Sequence, residues 1–163
     1  AVHQQFATRA QRDALAWRDV SWQLTGDQLV LVLDKQRDPT SRGFAEIQAE
    51  LEDAFAVAGK NVEVFALQDW NPALAKQRPV VVVTRDAWRD HCDAEALRSA
   101  ARDAQCVVAA RSPYDSALVP AQVPVLLSFG DIPGVGLAIA DALVGGAVTG
   151  KLPIVLPQPQ EEN

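Results

Sequence analysis

The chain has 163 residues, of which 48% are apolar and 22% are charged. This length suits one domain, and the composition is typical of a globular protein. The formal net charge of -6 argues against a nucleic-acid partner, which needs clustered cations. No apolar run approaches the roughly 20 residues that span a bilayer, so we also expect no membrane partner.

The chain ends and the cysteines say little about function. No signal peptide is visible at the N-terminus and the chain contains no Met, so we expect a fragment or a processed product. Cys92 and Cys106 form no metal motif, and we expect two reduced, mostly buried thiols, with Cys106 in the core. The sequence predicts no cofactor and no metal, and it leaves the compartment open.

Helical and extended patterns alternate along the first half of the chain. Apolar residues at helical spacing predict helices, whereas continuous apolar runs predict buried strands. In chain order the pattern predicts a helix over 2–18, an extended piece over 20–24, a strand over 29–33, a helix over 44–57 and a strand over 61–67. A connection over 69–78 is predicted to contain one short helical turn after Pro72.

The second half continues this alternation. In chain order it predicts a strand over 79–84, a helix over 93–104 with Asp93 as its N-cap, strands over 105–110 and 123–129, a helix over 133–145 and a last extended segment over 152–157. Because the strands are apolar throughout, we expect an α/β fold, a three-layer α/β/α sandwich around a mostly parallel sheet. A single domain over 1–157 and a polar tail over 158–163 are predicted.

Two glycine patterns resemble nucleotide-binding loops. Gly145, Gly150 and Lys151 satisfy G-x-x-x-x-G-K, but Leu152 stands where a phosphate loop has Ser or Thr, and the segment follows a helix instead of a strand.

The second pattern begins with Gly134 and Gly136, but Ile139 replaces the third small residue of a dinucleotide-binding turn. We therefore expect no nucleotide at either place. Gly134 and Gly136 are expected to let the helix start pack tightly against its sheet.

Polar residues follow three of the predicted strands. In a parallel sheet, the loops at the carboxyl ends of the strands line the ligand crevice. The candidates are Arg111, Tyr114 and Asp115 after one strand, Ser128 and Asp131 after the next, and Arg85, Asp86 and Trp88 after the valine strand. Two interpretations stay open: a contact surface for a ligand or partner domain, or a turn over 112–115 in which Tyr114 caps the core.

No residue is assigned a catalytic role. His3 and His91 are the only histidines, and the side chains of His91 and Cys92 would diverge on a helix or a strand. No Ser lies in a G-x-S-x-G pattern, and no set of His, Cys and carboxylates has metal-ligand spacing.

Three segments resemble one enzyme family. The stretch AIADALVGGAVTGKLPIVLP, residues 138–157, resembles the carboxyl-terminal signature of family 3 glycoside hydrolases. VVAARSPYD at 107–115 and VLLSFGD at 125–131 resemble the second domain of the β-N-acetylhexosaminidase branch. The resemblance covers nearly the full chain.

The resemblance implies a sandwich of about six strands, in which Gly150, Lys151 and Pro153 shape a chain reversal and a last strand. It also implies a parent enzyme that hydrolyses terminal β-linked sugars with retention, in carbohydrate metabolism. The nucleophilic aspartate, and in the hexosaminidase branch the acid/base histidine, belong to an amino-terminal barrel that this chain lacks. The β-glucosidase branch takes its acid/base glutamate from the second domain, and neither Glu95 nor Asp90 aligns with it.

The function expected from this resemblance is that of a carboxyl-terminal domain that is non-catalytic alone and packs against the barrel. Arg111, Tyr114, Asp115 and Asp131 would then lie at the domain interface or at the rim of the substrate site, where carbohydrate binds. The alternative is a stand-alone flavodoxin-like module that binds a small molecule or a sugar. A small nucleotide-binding enzyme is the remaining hypothesis.

Overall fold

The computed structural model describes residues 13–34, 43–130, 133–152 and 155–156. These residues form six strands and three α-helices. The strands are β1 (Leu15–Trp17), β2 (Gln28–Leu33), β3 (Asn61–Ala66), β4 (Val80–Thr84), β5 (Cys106–Ala109) and β6 (Val125–Ser128). The helices are α1 (Gly43–Val57), α2 (His91–Asp103) and α3 (Val135–Leu143).

All six strands belong to one sheet, in the order β1-β6-β5-β4-β2-β3. The strands β2 to β6 pair in parallel, and only β1 pairs antiparallel, with β6. Without β1, this is the strand order of the flavodoxin-like doubly wound folds. The predicted α/β class and the mostly parallel sheet are therefore confirmed.

Each parallel strand except the edge strand β3 buries side chains on both faces of the sheet. Leu29, Leu31 and Leu33 of β2 pack in one core cluster with residues of α1 and α3. Val30 and Val32 pack in the other, with residues of α2. Because successive side chains alternate across a strand, a continuous apolar run fills two cores at once. The predicted three layers follow directly from this.

The first predicted helix is wrong at its carboxyl end. Leu15 and Ala16, at 1% and 2% exposure, belong to the buried part of β1. This strand covers the edge of β6, which would otherwise present unpaired backbone groups. Residues 2–12 of the predicted helix lie outside the described residues.

Helix α2 begins two residues earlier than predicted, and its N-cap is Asp90 instead of Asp93. The Asp90 carboxylate accepts hydrogen bonds from the backbone N–H groups of Cys92 and Asp93. Asp93 is buried in the first turn and accepts a hydrogen bond from the Gln68 amide. Asp90 and Asp93 are both suitable N-cap residues in the sequence. In the structure Asp90 caps the helix, whereas Asp93 is buried within its first turn.

The last predicted strand is also wrong in its described part. Lys151, Leu152, Val155 and Leu156 belong to no strand, and residues 153–154 lie outside the described residues. Prolines at 153 and 157 remove two ladder donors from this short segment. Gly150 is needed here because a Cβ at this position would collide with the carbonyl oxygen of Leu15 in β1.

The other predicted helices and strands are confirmed within a few residues, and a short 3-10 turn lies at Pro72–Ala75 as predicted. Residues 20–24, which were predicted to be extended, belong to no strand. Both cysteines are free, and Cys106 is buried as predicted, whereas Cys92 is exposed. Among the described residues, no helix is long and apolar enough to cross a membrane.

Candidate functional site

The carboxyl ends of β2 and β4 meet where the strand order reverses. In open α/β sheets, this topological switch point is the usual position of a ligand crevice. Asp34 directly follows β2, and its Oδ2 accepts a hydrogen bond from the backbone N–H of Arg85 at 2.9 Å, directly after β4. The switch point is therefore closed by a contact between the two loops.

Asp34 is 8% exposed, and its burial raises the pKa of the carboxyl to about 7. The hydrogen bond from Arg85 opposes this shift, while the nearby carboxylates of Asp115 and Asp93 add to it. Sequence reasoning missed Asp34. The available signal was the Asp that ends LVLVLD, because a carboxylate at the end of a buried strand lies at the sheet edge.

Asp115 lies at the same edge and is fully buried. Its carboxylate accepts hydrogen bonds from the backbone N–H groups of Ala87 at 3.2 Å and Trp88 at 2.9 Å. Burial raises the pKa of this carboxyl, and these two bonds oppose the shift. The buried Thr84 hydroxyl is close enough to lower the Asp115 pKa, although it makes no hydrogen bond of regular geometry. Asp115 therefore joins two loops and does not present its charge to solvent.

An aromatic pair stands on the surface above these buried carboxylates. The rings of Trp88 and Tyr114 lie 5.1 Å apart at 54°, and the two residues are 42% and 53% exposed. The guanidinium of Arg89 lies 5.3 Å from the centre of the Trp88 ring. Arg111 lies beside the pair and forms an ion pair with Asp86 at 3.5 Å. We call Trp88, Arg89, Arg111 and Tyr114 the aromatic–arginine patch.

The loop that carries Tyr114 is held from below by Arg18, which is 8% exposed. Its guanidinium donates hydrogen bonds of 2.6 to 3.2 Å to four backbone carbonyls, those of Ser116, Val119, Pro120 and Val123. Arg18 and Asp115 thus fix the same loop through its carbonyl groups and through its own carboxylate. Sequence reasoning missed Arg18, because nothing in its local sequence distinguishes it from the other arginines of the chain.

The structure brings together three of the four predicted site residues, Arg111, Tyr114 and Asp115. Asp131 lies outside the described residues, and the Ser128 hydroxyl donates to the carbonyl oxygen of Gly130 at 2.8 Å. The predicted turn is present, since the Ser112 hydroxyl accepts from the backbone N–H of Tyr114. Tyr114 is exposed, however, so its interpretation as a cap of the core is wrong.

The helix start at Gly134 and Gly136 already holds a carboxylate of the protein itself. Glu50 of α1 accepts hydrogen bonds from the backbone N–H of Gly134 at 2.6 Å and from that of Gly136 at 2.8 Å. An anion at a helix N-terminus is stabilised by these donors and by the helix dipole. Glu50 therefore occupies the position that a nucleotide phosphate would take.

The buried and the exposed groups of this edge differ in their chemistry. Both buried carboxylates accept hydrogen bonds from backbone N–H groups, and the exposed groups are aromatic rings and guanidinium groups. In the described part of the chain, no group of His, Cys, Asp and Glu side chains is arranged to hold a metal ion.

In comparisons with solved structures, the chain is similar to one part of several glycoside hydrolase family 3 proteins. It covers 32% of a family 3 beta-N-acetylglucosaminidase from Paenibacillus sp. str. FPU-7, with 91% of this chain aligned, 22% identity and a TM-score of 0.69. It covers 20% of a fungal multi-domain beta-N-acetylglucosaminidase of this family, with 94% aligned, 16% identity and a TM-score of 0.66. It covers 30% of a beta-N-acetylglucosaminidase from Thermotoga maritima, with 85% of this chain aligned, 12% identity and a TM-score of 0.61.

No protein-family model and no curated protein sequence matches the chain. At these identities the structural likeness establishes the fold, and at that level it confirms the resemblance predicted from the sequence. The chain spans a third or less of the length of the proteins it matches, 20 to 32%.

Proposed function

We propose that this chain is the sandwich domain of a family 3 glycoside hydrolase, of the β-N-acetylhexosaminidase or a β-glucosidase-like type. The observation that carries the proposal is the coverage: 91% of this chain aligns with only 32% of the Paenibacillus beta-N-acetylglucosaminidase. The unmatched remainder of such a protein leaves room for a catalytic barrel, which typically takes about 250 residues. The parent enzyme would hydrolyse terminal β-linked sugars.

The carboxyl edge of the sheet is the proposed contact with the barrel. Trp, Tyr and Arg are the residues that most often carry the binding energy of protein interfaces, and the aromatic–arginine patch consists of these three types. In this proposal Arg111 and Tyr114 make the contact, and Asp115 holds Trp88 in place. Asp131 stays a candidate for the same surface.

The domain alone is proposed to be inactive. Retaining hydrolysis needs two carboxyl groups about 5 Å apart on either side of the glycosidic bond. Asp34 and Asp115 are buried and already accept hydrogen bonds from backbone N–H groups, so neither is available to a sugar. The catalytic groups would come from the barrel.

A second candidate function is a stand-alone module that binds a small molecule or a sugar. The observation in its favour is the flavodoxin-like order of β2 to β6, which places a topological switch point between β2 and β4. Binding of phosphate at the start of α3 is not part of this candidate, because Glu50 holds that position.

The first test is the coding sequence immediately upstream of Ala1. Roughly 350 further codons with a repeated strand–helix pattern are expected, as a barrel requires. A start codon directly before Ala1 would contradict the domain proposal and favour the binding module.

The second test is enzymatic and compares the isolated chain with the longer protein. Both are assayed with 4-nitrophenyl N-acetyl-β-glucosaminide and 4-nitrophenyl β-glucoside, and only the longer protein is expected to release nitrophenol. Turnover by the isolated chain would show that a catalytic pair lies within it.

A further inference from the structure

The outer face of α1 and α3 carries an apolar groove of about 340 Å³. We call it the α1/α3 groove, and its lining residues are Asp53, Ala54, Val57, Ala58, Leu137, Ala140, Asp141 and Val144. Val57 of α1 is 91% exposed and Leu137 of α3 is 51% exposed. The groove thus has one large exposed apolar side chain on each helix, and alanines and Val144 line the rest of its apolar surface. Clustered exposed apolar groups on one face mark sites of interaction.

The charged residues that line this groove, Asp53 and Asp141, are both acidic. Helix α1 carries Glu46, Glu50, Glu52 and Asp53 and no Lys or Arg, and the only charged residue of α3 is Asp141. Helix α2, on the opposite face of the sheet, carries Arg98 and Arg102 together with acidic residues. The α1/α3 groove is therefore apolar inside and anionic at its rim, a combination that α2 does not repeat.

This charge pattern selects among the occupants of the groove. A second copy of the chain would bring the same carboxylates to the same rim, and like charges that face each other across an interface disfavour association. A helix with apolar residues at i, i+4 and i+7 fits a groove of this kind, since that spacing places them in one row. Basic residues beside that row would face Asp53 and Asp141.

The groove lies away from the carboxyl edge of the sheet. Helix α3 starts after β6 and runs back, so that Leu143 at its end accepts a hydrogen bond from Leu24, which precedes β2. Val57 ends α1 shortly before β3 begins at Asn61. Val57 and Val144 therefore lie at the amino edge, and a partner bound there leaves the aromatic–arginine patch uncovered.

We propose that the α1/α3 groove binds a basic amphipathic helix of a separate partner protein. Its apolar row packs between Val57 and Leu137, and its Lys or Arg residues pair with the carboxylates at the rim. This proposal does not depend on the glycosidase assignment, because it uses the outer face of α1 and α3 and not the carboxyl edge of the sheet.

The probe is a fluorescein-labelled peptide of 15 residues with leucines at i, i+4, i+7 and i+11 and lysines beside them. Its binding to the intact chain is followed by fluorescence anisotropy at low salt. A peptide of the same composition in scrambled order carries the same charge without the apolar row. We expect the patterned peptide to bind at least tenfold more tightly than the scrambled one.

Variants of the chain locate the site. Leu137→Ser is expected to weaken binding about tenfold, because it removes one wall of the groove, and Asp53→Asn to reduce the loss of binding on adding salt. Val20→Ser is the matched control, since Val20 is 57% exposed outside the groove, and it should leave binding unchanged. Circular dichroism establishes that each variant is folded.

Two results would overturn the proposal. Equal binding of the scrambled peptide would reduce the effect to non-specific charge attraction. Sedimentation of the free chain as a dimer that Leu137→Ser dissociates would show that a second copy occupies the groove.

Discussion

The aromatic–arginine patch and the α1/α3 groove both expose large apolar side chains, but different forces hold them. The patch rests on buried charges, since Arg18 and Asp115 fix its loops through hydrogen bonds to backbone groups. The groove rests on two helices in close contact, with Gly136 directly against Ile47 and Glu50 of α1. The first surface should therefore respond to charge and pH, and the second to volume.

Among the changes proposed here, loss of Arg18 should lower the free energy of unfolding the most. Arg18→Met keeps much of the side-chain volume but leaves four carbonyl groups without their donor, and we expect unfolding to require about 4 kcal/mol less free energy. Urea unfolding measures the change. Arg98→Met, on the outer face of α2, is the control and should cost less than about 1 kcal/mol. A similarly small effect of Arg18→Met would mean that its hydrogen bonds do not hold the patch.

The second largest effect should come from pH, which acts on the carboxyl edge of the sheet through Asp34 and not on the α1/α3 groove. Folded Asp34 keeps its proton up to about pH 7, whereas the unfolded chain releases it near 3.8. The folded state therefore binds more protons between these values, and the free energy of unfolding falls as pH rises from about 4 to about 7, by as much as about 4 kcal/mol. Urea unfolding at pH 4.5 and 7.5 tests this.

Asp34→Asn should remove the part of this pH dependence that belongs to Asp34, because the amide stays neutral and can still accept from Arg85. The part that comes from the raised pKa of Asp115 should remain. Asp53→Asn, at the rim of the α1/α3 groove, should keep the full pH dependence. If the free energy of unfolding of Asp34→Asn fell by the same amount between pH 4.5 and 7.5, another group would be responsible for the pH dependence.

Stability of the α1/α3 contact should depend on side-chain volume at Gly136. A Cβ there would lie 2.6 Å from the Glu50 Cβ and 2.9 Å from the Ile47 carbonyl oxygen, so Gly136→Ala must push α3 away from α1. We expect a loss of about 2 kcal/mol that is the same at both pH values. Gly26→Ala, where nothing lies within 4 Å, is the control and should be nearly neutral. A neutral Gly136→Ala would mean that the two helices can separate at no cost.

The smallest change in stability is expected at Tyr114. Because its side chain is 53% exposed, Tyr114→Ala should alter the free energy of unfolding by less than about 0.5 kcal/mol. Under the proposed function, the same variant should also weaken association with the barrel, which can be measured by titrating the separately expressed barrel. A large loss of stability would return Tyr114 to a structural role.

The sequence predicted most of the fold because its strongest signals are local. Val80 to Val83 form a strand buried on both faces, and that pattern identifies a parallel sheet without reference to other segments. The antiparallel strand β1 was missed because Ala14 and Trp17, three residues apart, continue a helical spacing of apolar residues, and this outweighed the i, i+2 spacing of Leu15 and Trp17. Its state is decided by β6, more than 100 residues away in the chain.

The candidate site was predicted only in part, for a similar reason. Arg111, Tyr114 and Asp115 form one polar cluster after a strand, and that position was enough to assign them to the carboxyl edge. Asp34 and Arg18 come from distant segments, and their roles depend on burial and on backbone partners that a sequence does not display. Glu50 was missed in the same way, since its partners lie 84 and 86 residues further on.

The bond from Glu50 to the glycine turn has a consequence for how such chains change function. The two N–H groups at the start of α3 form an anion site that is permanently filled by a side chain of the same molecule. Replacing Glu50 by Ala would free both donors, and a sulfate or phosphate ion from the buffer could then take its place. A single substitution of Glu50 would therefore turn a filled anion site into a vacant one, because the carboxylate that fills it comes from the neighbouring helix α1.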